Sequence, residues 1–144
     1  MSAEIFRQVA ANMHLVAESG YATSINRATD LLDDAFRAGG KLLVFGNGGS
    51  SADAQHFTAE LVGRFMAERR GLPAIALTTN QAVLTAWSND YSFEDVFARQ
   101  IEALGVAGDV AFGISTSGTS PNVVSGMRHA RERGLRTIGL TGMS

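Results

Sequence analysis

Three groups of residues in this chain have the types and spacing that chemistry requires. The first is Phe45-Gly46-Asn47-Gly48-Gly49-Ser50-Ser51-Ala52-Asp53, which joins an apolar run to a helical pattern. Its glycines let backbone N–H groups close on an anion, and the helix N-terminus that follows, with a serine as N-cap, favours negative charge. The run matches neither the P-loop pattern nor G-x-G-x-x-G, so a nucleotide is not indicated, and the same residues also suit an ordinary strand-to-helix turn. The second group is Gly113-Ile114-Ser115-Thr116-Ser117-Gly118-Thr119-Ser120-Pro121, with five hydroxyls between Ser115 and Ser120. Ser120 is placed as an N-cap and Pro121 as the first helical residue. The remaining hydroxyls exceed what capping needs and form a neutral donor cup suited to a phosphate monoester.

The third group is His56, Glu60 and Arg64, at i, i+4 and i+8 of the helix that follows the first loop. An imidazole and a carboxylate one turn apart suit a divalent metal or an acid/base pair, and equally a solvated side-chain pair. Phe57, Leu61 and Phe65 make the adjacent stripe, expected to face the core. Asn89 and Asp90, just after a short helix containing Trp87, suit sugar hydroxyls or a turn. His14 and His129 read as lacking a partner at metal spacing, and Trp87 and Tyr91 as packing residues.

These groups must be held by elements whose pattern changes along the chain. Ile5, Val9, Met13 and Val16 lie on one face of a first helix, and Ile25, Ala28, Leu32, Ala35 and Phe36 on one face of a second, which Gly39-Gly40 should stop. Short apolar runs then recur at Leu42 to Phe45, Ala74 to Leu77, Val110 to Ile114 and Thr137 to Leu140. Helical patterns at Ser50 to Ala67, Gln81 to Trp87, Ser92 to Leu104 and Ser120 to Arg133 separate them. The alternation predicts an α/β fold, a parallel sheet covered by helices on both faces and preceded by two N-terminal helices. Residues 1–144 read as a single domain.

Composition excludes whole classes. The chain has 144 residues, 12 Lys+Arg against 14 Asp+Glu, and no cysteine, so disulfides, thiolate nucleophiles and Cys-ligated zinc are ruled out. A net charge of -2 argues against binding nucleic acid or an anionic membrane surface. Glu4, Arg7 and Glu18 interrupt the first twenty residues where an export signal would be apolar, so the expected location is the cytoplasm. Two long stretches without charge, Gly71 to Asn89 and Val110 to Met127, are broken by Thr and Ser clusters and are not membrane spans. The final strand leads into Gly142 with no helix after it, so a truncated chain, or cover from another chain, is expected.

Taken together, residues 45–65, Leu72 to Leu77, Ser88-Asn89-Asp90-Tyr91 and Gly113 to Gly118 closely resemble the phosphoheptose isomerases, sugar isomerases of the SIS-domain family, and the likeness runs through the whole chain. The resemblance implies a three-layer α/β/α sandwich with a five-stranded parallel sheet of flavodoxin-like type, and a cytoplasmic homotetramer with sites at subunit interfaces. It implies interconversion of sedoheptulose 7-phosphate and D-glycero-D-manno-heptose 7-phosphate, for heptose and lipopolysaccharide precursors. By the same resemblance Asn47, Gly48 and Gly49 contact the sugar phosphate or its hydroxyls, Ser115, Thr116, Ser117 and Ser120 hold its phosphate, and Asn89 and Asp90 line the sugar. His56 and Glu60 are then two ligands of one zinc ion per subunit, and Glu60 is also the proton-transfer base. In that family a later helix adds a Gln and a His to the zinc site; this sequence ends before it, which implies that the chain as given lacks the last strand and the catalytic helix. A non-catalytic SIS adaptor that binds the replication initiator is the competing reading, beside a sugar-phosphate sensor and a structural assembly module. The adaptor lacks the carboxylate one turn after the histidine, so Glu60 favours the enzyme.

Overall fold

The apolar runs pair because each is flanked by loop residues and separated by a helix long enough for a parallel crossover. In the computed structural model, which describes residues 2–142, they form β1 (Leu42–Gly46), β2 (Ala74–Ala76), β3 (Val110–Ser115) and β4 (Arg136–Thr141). All neighbours are parallel, in the order β2-β1-β3-β4, with Leu42 opposite Val110 and Val110 opposite Arg136. The helices are α1 (Ser2–Glu18), α2 (Tyr21–Arg37), α3 (Gly49–Val62), α4 (Gln81–Asp90), α5 (Val96–Leu104) and α6 (Pro121–Glu132), with a 3₁₀ turn at Phe93–Asp95. The expected parallel sheet with helices on both sides, preceded by α1 and α2, is what forms. The expected last residues, 143 and 144, lie outside the described ones.

Residues up to Asp33 form one compact unit and those from Asp34 a second. In the first unit α1 has no buried residue. In the second, α2 stops as expected at the glycine pair: Gly39 takes φ 82°, and Gly40 N–H donates to Ala35 O at 2.8 Å. Alternation along the strands divides the core. Leu43, Phe45 and Ala111 pack with Val96, Phe97 and Ile101 of α5 and Val123 and Ala130 of α6. On the opposite face Phe112 meets Phe57 of α3 edge-on, with ring centroids 5.5 Å apart.

Helix α3 departs from expectation twice. It ends at Val62, not Ala67, because Gly63 follows and Arg69 folds back over the end. The Arg69 guanidinium donates to the carbonyls of Glu60 (2.8 Å), Leu61 (2.8 Å) and Gly63 (3.2 Å), groups that a longer helix would have bonded internally. Its buried stripe is also different: Ala54 and Thr58 are buried, whereas Phe57 and Phe65 are 38% and 66% exposed. The approach of α3 to the sheet is too close for large side chains. A Cβ on Gly46 would lie 2.7 Å from Ile114 O and 2.8 Å from Ser50 Cβ, so small residues fill the closest contact, while Phe57 reaches the sheet only at its side, against Phe112, and stays partly exposed. Helix α4, in turn, runs three residues beyond the expected Trp87 to include Asn89 and Asp90.

The N-terminal edge of the sheet is closed by charge. Asp109, 1% exposed, accepts from Lys41 N (2.9 Å), Lys41 Nζ (2.6 Å) and Val106 N (2.9 Å), while its carbonyl takes Arg136 N at 2.9 Å. The starts of β1, β3 and β4 therefore meet at one residue. Breaking such a buried ion pair from one side leaves the other partner and the freed donors uncompensated, a loss of about 3 kcal/mol. Asp109→Ala is expected to lower the unfolding free energy measured in urea by that amount, as a lower midpoint at unchanged m-value; a loss below about 1 kcal/mol would mean that water replaces the carboxylate.

Candidate active site

Both Gly- and Ser-rich segments lie at the carboxyl edge of the sheet, on adjacent strands. β1 ends at Gly46, whose partner on β3 is Ile114, so Asn47 and Ser115 emerge side by side. Asn47 leads to Gly48, the N-cap of α3 at φ 54°, ψ −121°; no serine caps this helix, and Ser50 and Ser51 fall inside its first turn. The expected serine cap is thus replaced by a glycine that only a positive φ can place there. A Cβ on Gly48 or Gly49 would meet nothing within 4 Å, so the backbone at this helix start faces open space. Neither α3 nor α6 carries an acidic residue in its first turn, which leaves both N-terminal ends free to attract an anion.

In the hydroxyl segment the groups divide by depth. Ser115 is 6% exposed, and its Oγ lies 2.9 Å from Ser120 Oγ. Ser120 occupies the N-cap of α6, with Pro121 next as expected, but its side chain makes no capping bond because Ser115 engages it instead. Thr116, Ser117 and Thr119 are exposed. Ser117 Oγ accepts from Thr119 N (3.2 Å) and Thr119 Oγ1 (3.1 Å), so its own proton is directed to an outside acceptor. Gly118, at φ 69°, donates to Ser115 O at 3.0 Å and closes the turn.

One turn from the end of α3, His56 Nε2 and Glu60 Oε1 are 3.2 Å apart, their side chains 78% and 41% exposed. Arg64 has left the helix and pairs with Glu68 at 3.0 Å, so the three-residue stripe is reduced to two. Glu60 borders a groove with Phe57, Leu61, Arg64 and Phe65. The same His-to-Glu distance, 3.2 Å, recurs between His14 and Glu18 of α1, a partner at metal spacing after all. Distance alone therefore does not set His56 and Glu60 apart; their place on the helix that starts in the Gly-rich loop beside the hydroxyl segment does. An imidazole nitrogen and a carboxylate oxygen fit zinc, and this pair offers two of the four donors of a tetrahedral shell. Among the described residues no group of three or more His, Cys, Asp or Glu side chains gathers for a metal.

Asn89 and Asp90 close α4, both exposed, with Asn89 Nδ2 donating to Asp90 Oδ1 at 2.8 Å. A residue that sequence reasoning passed over joins the two loops. Asn122, 2% exposed at the start of α6, exchanges two side-chain amide bonds with Asn47, each 2.8 Å. Nothing in its sequence neighbourhood distinguishes it from the many asparagines found near helix starts. Arg69 was passed over too, since a capping role eight residues from the carbonyl it binds leaves no local pattern.

Comparison with known proteins agrees with this arrangement. The family model described as SIS domain matches residues 5–142. A phosphoheptose isomerase of Geobacter sp. (strain M21) is 54% identical over 144 residues, 99% of this chain and 75% of that protein. One from Pelobacter propionicus is 66% identical over 111 residues, 77% of this chain and 59% of that protein. Among solved structures, phosphoheptose isomerase GmhA from Neisseria gonorrhoeae superposes with a TM-score of 0.85 at 43% identity, over 97% of this chain and 72% of that one. A phosphoheptose isomerase from Francisella tularensis gives 0.89 at 38% identity, over 99% and 74%. Shared sequence and shared fold over nearly all of its length place the chain in the SIS-domain family and, within it, among the phosphoheptose isomerases, which are isomerase enzymes.

Proposed function

We propose that the protein interconverts sedoheptulose 7-phosphate and D-glycero-D-manno-heptose 7-phosphate, as a step toward heptose and lipopolysaccharide precursors. The observation that carries the reading is the pair of helix starts, α3 and α6, opening side by side from β1 and β3 without a carboxylate in either first turn. The phosphate sits against Thr116 and Ser117, with Ser115 and Ser120 bonded behind them, and against the N–H groups of Gly48 and Gly49. Asn47, Asn89 and Asp90 take sugar hydroxyls. Fixing the far end of the substrate in this way orients the reacting end.

Glu60 then removes a proton from C1 of the ketose to leave a cis-enediol and returns it to C2, while a hydroxyl proton passes from O1 to O2; no atom is gained or lost. His56 and Glu60 would hold a zinc ion, which supplies Lewis-acid polarisation of the carbonyl oxygen when bound. The kinship with phosphoheptose isomerases supports a heptose phosphate as substrate. A cytoplasmic location belongs to the same reading, since a sugar phosphate does not cross a membrane unaided; among the described residues no helix is long and apolar enough to span one.

A homotetramer is part of the proposal. On α1, Ile5, Val9, Met13 and Val16 share a face yet are 60%, 51%, 66% and 45% exposed. Such a stripe buries its area against another copy.

Three outcomes test the reading in the full-length protein. Glu60→Gln should reduce turnover of sedoheptulose 7-phosphate by about 10²-fold or more, the usual share of a general base; wild-type turnover would remove Glu60 from the chemistry. Ser117→Ala, which deletes one donor to a charged group, should raise KM about tenfold with kcat little changed, and an unaltered KM would place the phosphate elsewhere. Val9→Asp with Met13→Asp should shift the mass measured by light scattering below four chains, whereas an unchanged assembly would free α1 from the interface.

A further inference from the structure

The Asn47 and Asn122 side chains form a closed ring. Asn47 Nδ2 donates to Asn122 Oδ1, and Asn122 Nδ2 donates to Asn47 Oδ1, both at 2.8 Å. Asn122 Oδ1 also accepts the N–H of Val123 at 2.9 Å, so the amide is tied to its own helix as well as to the facing loop. Two antiparallel bonds between primary amides fix both planes at once. With Asn122 2% exposed, solvent has little access to compete for them.

Asn47 stands between the last residue of β1 and the glycine that caps α3. Holding its side chain therefore holds the peptide that turns into α3, and with it the open backbone at Gly48 and Gly49. Asn122 is the second residue of α6, two positions after Ser120, so the other end of the ring is the helix that leads out of the hydroxyl segment. The ring uses one N–H and one lone pair of each Asn47 group and leaves the others for a ligand.

We propose that Asn122 is a positioning residue for sugar-phosphate binding. It touches no substrate; through Asn47 it sets the spacing between the glycine loop and the hydroxyl loop, so that both grip one ligand without first being ordered. The inference rests on the phosphosugar reading above. Ser115 and Ser120 make a second tie within the hydroxyl segment, whereas the Asn47–Asn122 ring, among the described residues, crosses between the two loops.

The test uses the full-length protein with Asn122→Asp, Asn122→Ala, Asn47→Ala and the double variant Asn47→Ala/Asn122→Ala, assayed with sedoheptulose 7-phosphate. Asn122→Asp keeps the shape but sets an oxygen against Asn47 Oδ1 where an N–H had donated. It should raise KM about tenfold or more with kcat changed less than about threefold, as should Asn122→Ala. If Asn122 acts through Asn47, the double variant has the KM of Asn47→Ala alone. A wild-type KM in a folded Asn122→Asp protein overturns the proposal, as does a further rise in KM of similar size in the double variant. Loss of cooperative unfolding in both Asn122 variants assigns the residue to the fold and overturns it as well. If the wild-type protein itself neither binds nor converts the sugar phosphate, the phosphosugar reading fails first and takes the inference with it, a result that no variant can imitate.

Discussion

The register of β1 on β3 fixes where everything else stands. Because Gly46 lies opposite Ile114, the chain leaves both strands at the same level, and the two turns that follow open toward each other. The close approach at this point tolerates only glycine: a Cβ on residue 46 would collide with Ile114 O and with Ser50 Cβ. A shift of one residue would reverse every inward side chain of β1, carrying Phe45 away from its 5.1 Å contact with Phe97 and the rest of the α5 and α6 core. Site geometry and core packing thus depend on the same pairing.

The two edges of the sheet use opposite chemistry. At the N-terminal edge, charge is buried and spent on the fold, with the Asp109 carboxylate bonded to Lys41 and two backbone donors. At the carboxyl edge the interactions between elements are neutral, amide to amide at Asn47 and Asn122 and hydroxyl to hydroxyl at Ser115 and Ser120. A cation fixed there would bind an anion more strongly but would need a counter-charge whenever the site was empty. Hydroxyls and helix ends avoid that requirement: they are satisfied among themselves or by water and still favour negative charge when it arrives.

How much of this was legible beforehand depends on the range of the interaction. The strands announced themselves through apolar runs, and the ends of α2 and α6 through Gly39-Gly40 and Ser120-Pro121, because these signals are local. The partner of Asn47 is 75 positions away and carries no periodicity, so its role appears only when β1 and β3 are paired. The serine expected to cap α3 gives way to Gly48, because the cap position takes a φ of 54° that a serine would resist. The length of α3 was misread for a related reason. Helical spacing continues through Arg64 and Phe65, and what stops the helix is the side chain of Arg69, acting from beyond the end.

The inverted packing of α3 links fold to chemistry most directly. Size would assign Phe57, Leu61 and Phe65 to the core, yet the close contact at Gly46 is filled by small residues, Phe57 is left partly exposed beside Phe112, and Phe65 lies past the helix end. With Ala54 and Thr58 buried in the closest contact, Phe57 and Leu61 at the flank of the helix, together with Phe65 beyond its end, border the groove beside Glu60. A carboxylate in water alone is a weak base, strongly hydrated; beside apolar walls it loses part of that hydration once a substrate covers it. His14 and Glu18 have the same separation on α1, where no residue is buried. Identical spacing therefore sits in different surroundings on the two helices: one pair is on a surface helix with no buried residue, the other beside an apolar groove on a helix that packs against β1.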